Sequence, residues 1–110
     1  FYLVADAPNP QFDWQAAIIE SVRKVTHIAP PDDADANTII GMPVVREGII
    51  AVDTRQYGLC ACVTNAKYCS TTEVYPDSPS VTDAICNDAQ VAAIDGALRY
   101  ILENEGSKEE

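Results

Sequence analysis

Apolar residues fall in runs whose spacing changes along the chain, and the changes mark the elements. Phe1 to Ala5 (FYLVA) is an unbroken apolar, aromatic-rich run that predicts a strand. Pro8 and Pro10 end it, since each fixes φ and removes a donor. Trp14, Ile18, Val22 and Val25 then recur at helical spacing, with Ile19 alongside. This predicts a helix capped by Asp13 and running to about His27, with Arg23 and Lys24 in its last turns. Pro30-Pro31 stops it, and Pro31 to Asn37 (PDDADAN) is a polar, acidic loop.

From Thr38 the pattern shortens. Ile39-Ile40 opens an apolar run to Val45, broken at Gly41 and Pro43. Val44 to Val52 reads as strand, short turn, strand, with Gly48 the candidate for positive φ. Leu59 to Val63 (LCACV) is a further strand, and Tyr68 to Tyr75 another, ending at Pro76. Ser80, with Asp83 three residues on, caps a second helical region that restarts near Asn87-Asp88. There Val91, Ile94, Leu98 and Ile101, with Leu102 adjoining, form an amphipathic stripe. Gly96 inside it loses about 1 kcal/mol against Ala, which a close backbone approach would explain.

The order strand, helix, three or four strands, helix predicts a single α+β domain over residues 1–110. Its expected core is an antiparallel sheet of four to five strands with two helices on one face. Ile39-Ile40 and Ile49 to Val52 do not alternate, so both faces of those strands need cover. Two helices cover one face. A second copy covering the other predicts a sheet-to-sheet homodimer, with Ile39, Ile40, Val44, Ile49, Ile50 and Val52 as interface candidates. A longer second helix and loops wrapping that face would be the alternative.

Charge narrows the partners. Seventeen acidic and seven basic residues give −10. A polyanion is repelled by nucleic acid and by anionic membranes. No apolar run approaches the roughly 20 residues that span a bilayer, so no membrane insertion is expected. The acids gather in the Asp32–Asp35 loop, the polar side of the second helix and the Glu103–Glu110 tail.

Four cysteines, Cys60, Cys62, Cys69 and Cys86, suit a disulfide framework in an oxidising compartment. A start at Phe1 fits a mature secreted chain. Cys60 and Cys62 share one face of a strand, so a bond between them would be strained. The favoured pairing is Cys62–Cys69 and Cys60–Cys86, with the swapped pairing open. A zinc site would want two closely spaced ligand pairs, and only Cys60-x-Cys62 forms one. No metal or other cofactor is expected.

No catalytic constellation stands out. His27 is the only histidine and reads as a helix-terminal residue. No Gly-x-Ser-x-Gly elbow occurs. Asp53 and Glu73 are strand-located acids, and Asp32, Asp33 and Asp35 match only part of a calcium loop. Tyr57, Tyr68 and Tyr75 are ligand candidates, while Trp14 reads as core.

The Phe1 start, four cysteines and α+β order resemble small secreted fungal proteins of the effector and elicitor type. The nearest likeness is to elicitor-like proteins with a ferredoxin-like, dimeric α+β barrel fold. The Leu59-Cys60-Ala61-Cys62-Val63 strand resembles the Cys-x-Cys-Val strand of killer-toxin-like proteins. The resemblance implies an extracellular, non-enzymatic, disulfide-stabilised protein that meets a host protein or a cell-wall polysaccharide. A small-molecule binder or small enzyme using the interior of a barrel dimer is the alternative, and a carbohydrate-binding module a lesser one.

Overall fold

The computed structural model describes residues 1–33, 35–59, 64 and 66–105. The elements are β1 (Tyr2–Asp6), α1 (Phe12–Arg23), β2 (Thr38–Ile39), β3 (Met42–Arg46), β4 (Ile49–Val52), β5 (Ser70–Glu73) and α2 (Asp83–Glu105), with a 3-10 turn over Thr54–Tyr57. The fold is α+β, and five strands among the described residues run in the order β2-β3-β4-β1-β5; the expected strand at 60–63 lies outside the described residues.

The sheet is mixed, which corrects the antiparallel, ferredoxin-like expectation. β1 pairs parallel with β4, Val4 opposite Ile50, and antiparallel with β5, Val4 opposite Thr71. The reason lies in β1 itself. Its five residues are buried on both faces, so it takes an interior position and separates β4 from β5. The β3–β4 hairpin forms where expected, with Gly48 at φ 72°. Its Cα faces Ile19 and Ile28 so closely that a Cβ would lie 2.5 Å from Ile28.

Period-2 alternation then divides the strands between two cores. Phe1, Leu3, Ala5 and Ile49 point to the helices and meet Trp14, Ile18, Ile19, Val22, Ala89 and Ala93. Tyr2, Val4, Ile39 and Ile50 point the other way and pack with Ala29. The two helices therefore lie on one face, as expected.

Helix boundaries differ from the sequence reading. α1 starts at Phe12 after Gln11, without a side-chain cap, and Asp13 sits in its first turn paired with Arg46. It ends at Arg23 rather than His27. Residues 27–29 run alongside the start of β1, where the Ala29 amide donates to the Phe1 carbonyl. α2 is one continuous helix, and Thr82 rather than Ser80 caps it, its hydroxyl accepting from the Ile85 amide. α2 also turns a different face to the core. Ala89, Ala93 and Gly96 are buried, while Val91, Ile94 and Leu98 of the predicted stripe are exposed. Small residues let the helices approach: the Ser21 hydroxyl donates to the Ala92 carbonyl at 2.7 Å, and a Cβ on Gly96 would lie 2.7 Å from the Ser21 Cβ.

Candidate functional site

The helix-free face of the sheet carries the most distinctive surface. Alternation puts Tyr2 and Val4 of β1, Ile50 and Val52 of β4 and Met42 of β3 on this side. Ile40, Tyr57 and Leu59 close the ends, leaving an open apolar trough of about 190 Å³ with Glu73 as its acidic wall. Loops cover the rest of the face: Ala29 packs from the chain after α1, and Tyr75 lies against Tyr2 with ring centroids 5.8 Å apart. The His27 ring stacks on Tyr75 from outside at 6.4 Å.

Two devices hold the trough's rim. At one end the β2–β3 turn has Ile40 at φ 48° and Gly41 at φ 78°. Positive φ is costly for a β-branched residue. The Asp32 carboxylate enforces it, accepting from the Ile40 amide (2.9 Å), the Gly41 amide (2.9 Å) and the Thr38 hydroxyl (2.8 Å). The Gly41 amide, followed by the Thr38 hydroxyl, holds the Asp32 carboxyl below its ordinary range. The result presents Ile40 with 61% of its surface in solvent.

At the other end Asp6, 4% exposed, accepts from the Thr54 hydroxyl at 3.1 Å and from the Arg55 guanidinium at 3.2 Å. The Asp53 carboxylate caps the 3-10 turn through the Arg55 amide, and Gly58 ends it at φ 67°. This clamp anchors the turn that carries Tyr57 and leads to Leu59. Inside the trough, burial pushes the Tyr2 phenol up, with Glu73 and Tyr75 adding to it. Tyr75 is raised by burial, then by Asp32 and Glu73. Both phenols stay neutral donors across the ordinary pH range.

The residues singled out from sequence divide. Of the interface candidates, Ile40, Val44 and Val52 retain solvent-facing surface, Ile39 and Ile50 are already covered, and Ile49 lies in the helix-side core. Tyr57 is exposed at the trough. Tyr75 supports the trough floor, while Tyr68 belongs to the helix side, edge-on to Trp14 with its hydroxyl on Glu105. The sequence predicts strand at Tyr2, Val4 and Leu59 and only an apolar run at Met42, and the alternation within FYLVA is the signal that assigns Tyr2 and Val4 to this face.

Asp32 and Asp33 are committed to backbone amides, Asp32 to those of the β2–β3 turn and Asp33 to Asp35 and Ala36 of its own loop. Among the described residues no group of three or more His, Cys, Asp and Glu side chains comes together as a metal site. No disulfide forms among the described residues, where Cys69 precedes β5 and Cys86 sits in the first turn of α2. Cys60 and Cys62, needed by both favoured bridges, lie outside the described residues. Neither a protein-family model nor a curated protein sequence matches this chain.

Proposed function

We propose that this protein is a secreted, disulfide-stabilised interaction protein of the effector or elicitor type, without enzymatic activity, that engages a host partner through the apolar trough. The observation that carries this reading is the strained, solvent-facing Ile40 on a rim fixed by Asp32. Backbone strain persists where the surroundings over-determine it, and such sites cluster at ligand-contacting positions. Size argues in the same direction. Enclosing a drug-sized molecule takes about 300–1,000 Å³, against about 190 Å³ here. An open apolar channel of that size suits one or two side chains of a protein partner.

The test is a titration of the isotopically labelled chain, followed by amide chemical shifts. The probes are a Leu- and Phe-rich peptide and a chito-oligosaccharide. The peptide should shift Tyr2, Ile40, Met42 and Tyr57, and Tyr57→Ala should weaken it about tenfold. Shifts at Tyr57 and Tyr75 with the oligosaccharide alone would favour the carbohydrate-binding module instead. Intact mass under non-reducing conditions should be four hydrogens below the free-thiol value, and four titratable thiols would count against secretion.

A further inference from the structure

The outward face of α2 is apolar where a solvated helix should be polar. Val91, Ile94, Leu98 and Leu102 are 66%, 61%, 56% and 74% exposed. They lie opposite the buried Ala89, Ala93 and Gly96, so the helix is apolar on both sides. These outer positions step by three, four and four, close to the narrow seam of a coiled coil, while Ile101 turns in to pack against the helix-side core. Ala84 and Asn87 continue the seam toward the start of α2, and no charged residue interrupts it between Ala84 and Leu102. Eighteen rises of about 1.5 Å from Ala84 to Leu102 make it roughly 27 Å long.

We propose that α2 is a dimerisation helix, packing stripe to stripe against α2 of a second copy, antiparallel, about a two-fold axis near residue 96. In that register Ile94 meets the partner subunit's Leu98, and Val91 meets the partner subunit's Leu102. Three observations choose a second copy as the occupant. The exposed row Val91, Ile94, Leu98 and Leu102 is self-complementary about its centre, as an isologous contact requires. The charges beside the seam are also self-complementary: Asp95 and Arg99, 2.9 Å apart, share one flank, and an antiparallel two-fold brings that flank against itself. Each Asp95 then faces the partner subunit's Arg99, and the helix dipoles oppose. Finally, four large side chains each leaving on the order of 100 Å² in solvent, with Ala84, Asn87 and the flanks, supply roughly 600 Å² per copy, which reaches the ~1,200 Å² of a small specific interface. The sheet trough lies on the other side of the molecule and stays free, so this assembly does not depend on its function.

Sedimentation equilibrium of the full chain at tens of micromolar tests it. The expected mass is twice the 11.9 kDa protomer. Leu98→Asp should sediment as a monomer with unchanged helical circular dichroism, because the position is already exposed. Val45→Asp, on an exposed position of β3, should leave the dimer intact. Asp95→Arg should weaken association about threefold, and Asp95→Arg with Arg99→Asp should restore it. A monomeric wild-type chain at 100 µM, or a dimer that survives Leu98→Asp and is broken by Val45→Asp, overturns the proposal. A dimer indifferent to Asp95→Arg overturns the antiparallel register.

Discussion

Ile40 concentrates the conflict between local preference and presentation. Its φ of 48° suits Asn or Gly, and the structure holds an isoleucine there by three hydrogen bonds to one carboxylate. Ile40→Asn should therefore stabilise the fold by about 1 kcal/mol in urea unfolding, since Asn tolerates the left-handed region, while weakening peptide binding at the trough. A destabilised Ile40→Asn would mean the side chain is held by packing rather than presented. Asp32 adds a pH dependence with a definite sign. Its carboxyl is held below the ordinary value, so its contribution is present above about pH 4, the unfolded value, and is lost as pH falls through the folded one. Amide exchange at Ile40 and Gly41, corrected for intrinsic rates, should thus rise below pH 4 before the core responds, and Asp32→Ala should abolish that step. The clamp on Asp6 sets a third expectation. Arg55→Ala leaves a nearly buried carboxylate with one hydroxyl partner, and should cost about 1–3 kcal/mol in denaturant unfolding. Gly48 was legible in the sequence because its turn chemistry is ordinary. Ile40 was not, because only tertiary hydrogen bonds place such a residue at positive φ.

Elements were legible where one face alone is apolar, and ambiguous where two are. α1 shows a single stripe, and its core-facing residues Trp14, Ile18 and Val22 are those read from spacing. α2 carries two candidate faces, one of large aliphatic residues and one of Ala89, Ala93 and Gly96. Residue size favours the first, but close approach to α1 selects the second. Gly96 measures that choice. Gly96→Ala would gain about 1 kcal/mol in helix propensity. Its Cβ would meet the Ser21 Cβ at 2.7 Å, a backbone-proximal atom that cannot swing aside, and such overpacking costs typically about 1–3 kcal/mol. The packing term is the larger, so thermal unfolding should show a net loss of about 1 kcal/mol. A stabilised Gly96→Ala would mean α1 and α2 lie farther apart. Strand existence was read well from composition, whereas strand order was not. Adjacent strands usually pair, but the most completely buried strand comes first in sequence and still needs neighbours on both edges.

At the scale of the whole molecule, the charge of −10 and the neutral α2 seam act against each other. Two copies associating through α2 bring like charges to within about 25 Å, the molecule's shortest dimension. Treated as points in water, charges of −10 at that distance repel by about 7 kcal/mol at 0.01 M salt and under 1 kcal/mol at 0.15 M. Spreading the charge over each surface lowers both figures and keeps their order. The attractive Asp95–Arg99 contacts are exposed and contribute roughly 0.2–1 kcal/mol each, less than the repulsion that salt removes. Dimerisation through α2 should therefore tighten, by about tenfold or more, between 0.01 M and 0.15 M sodium chloride. An interface built on ion pairs would loosen over the same range, and sedimentation at the two salt concentrations separates the two. Leu98→Asp lowers the seam's apolar area and adds like charge at its centre, so it should remain monomeric at both. Acidity then limits association to conditions of physiological ionic strength, where an apolar seam without charges is the feature of this surface that can still hold two copies together.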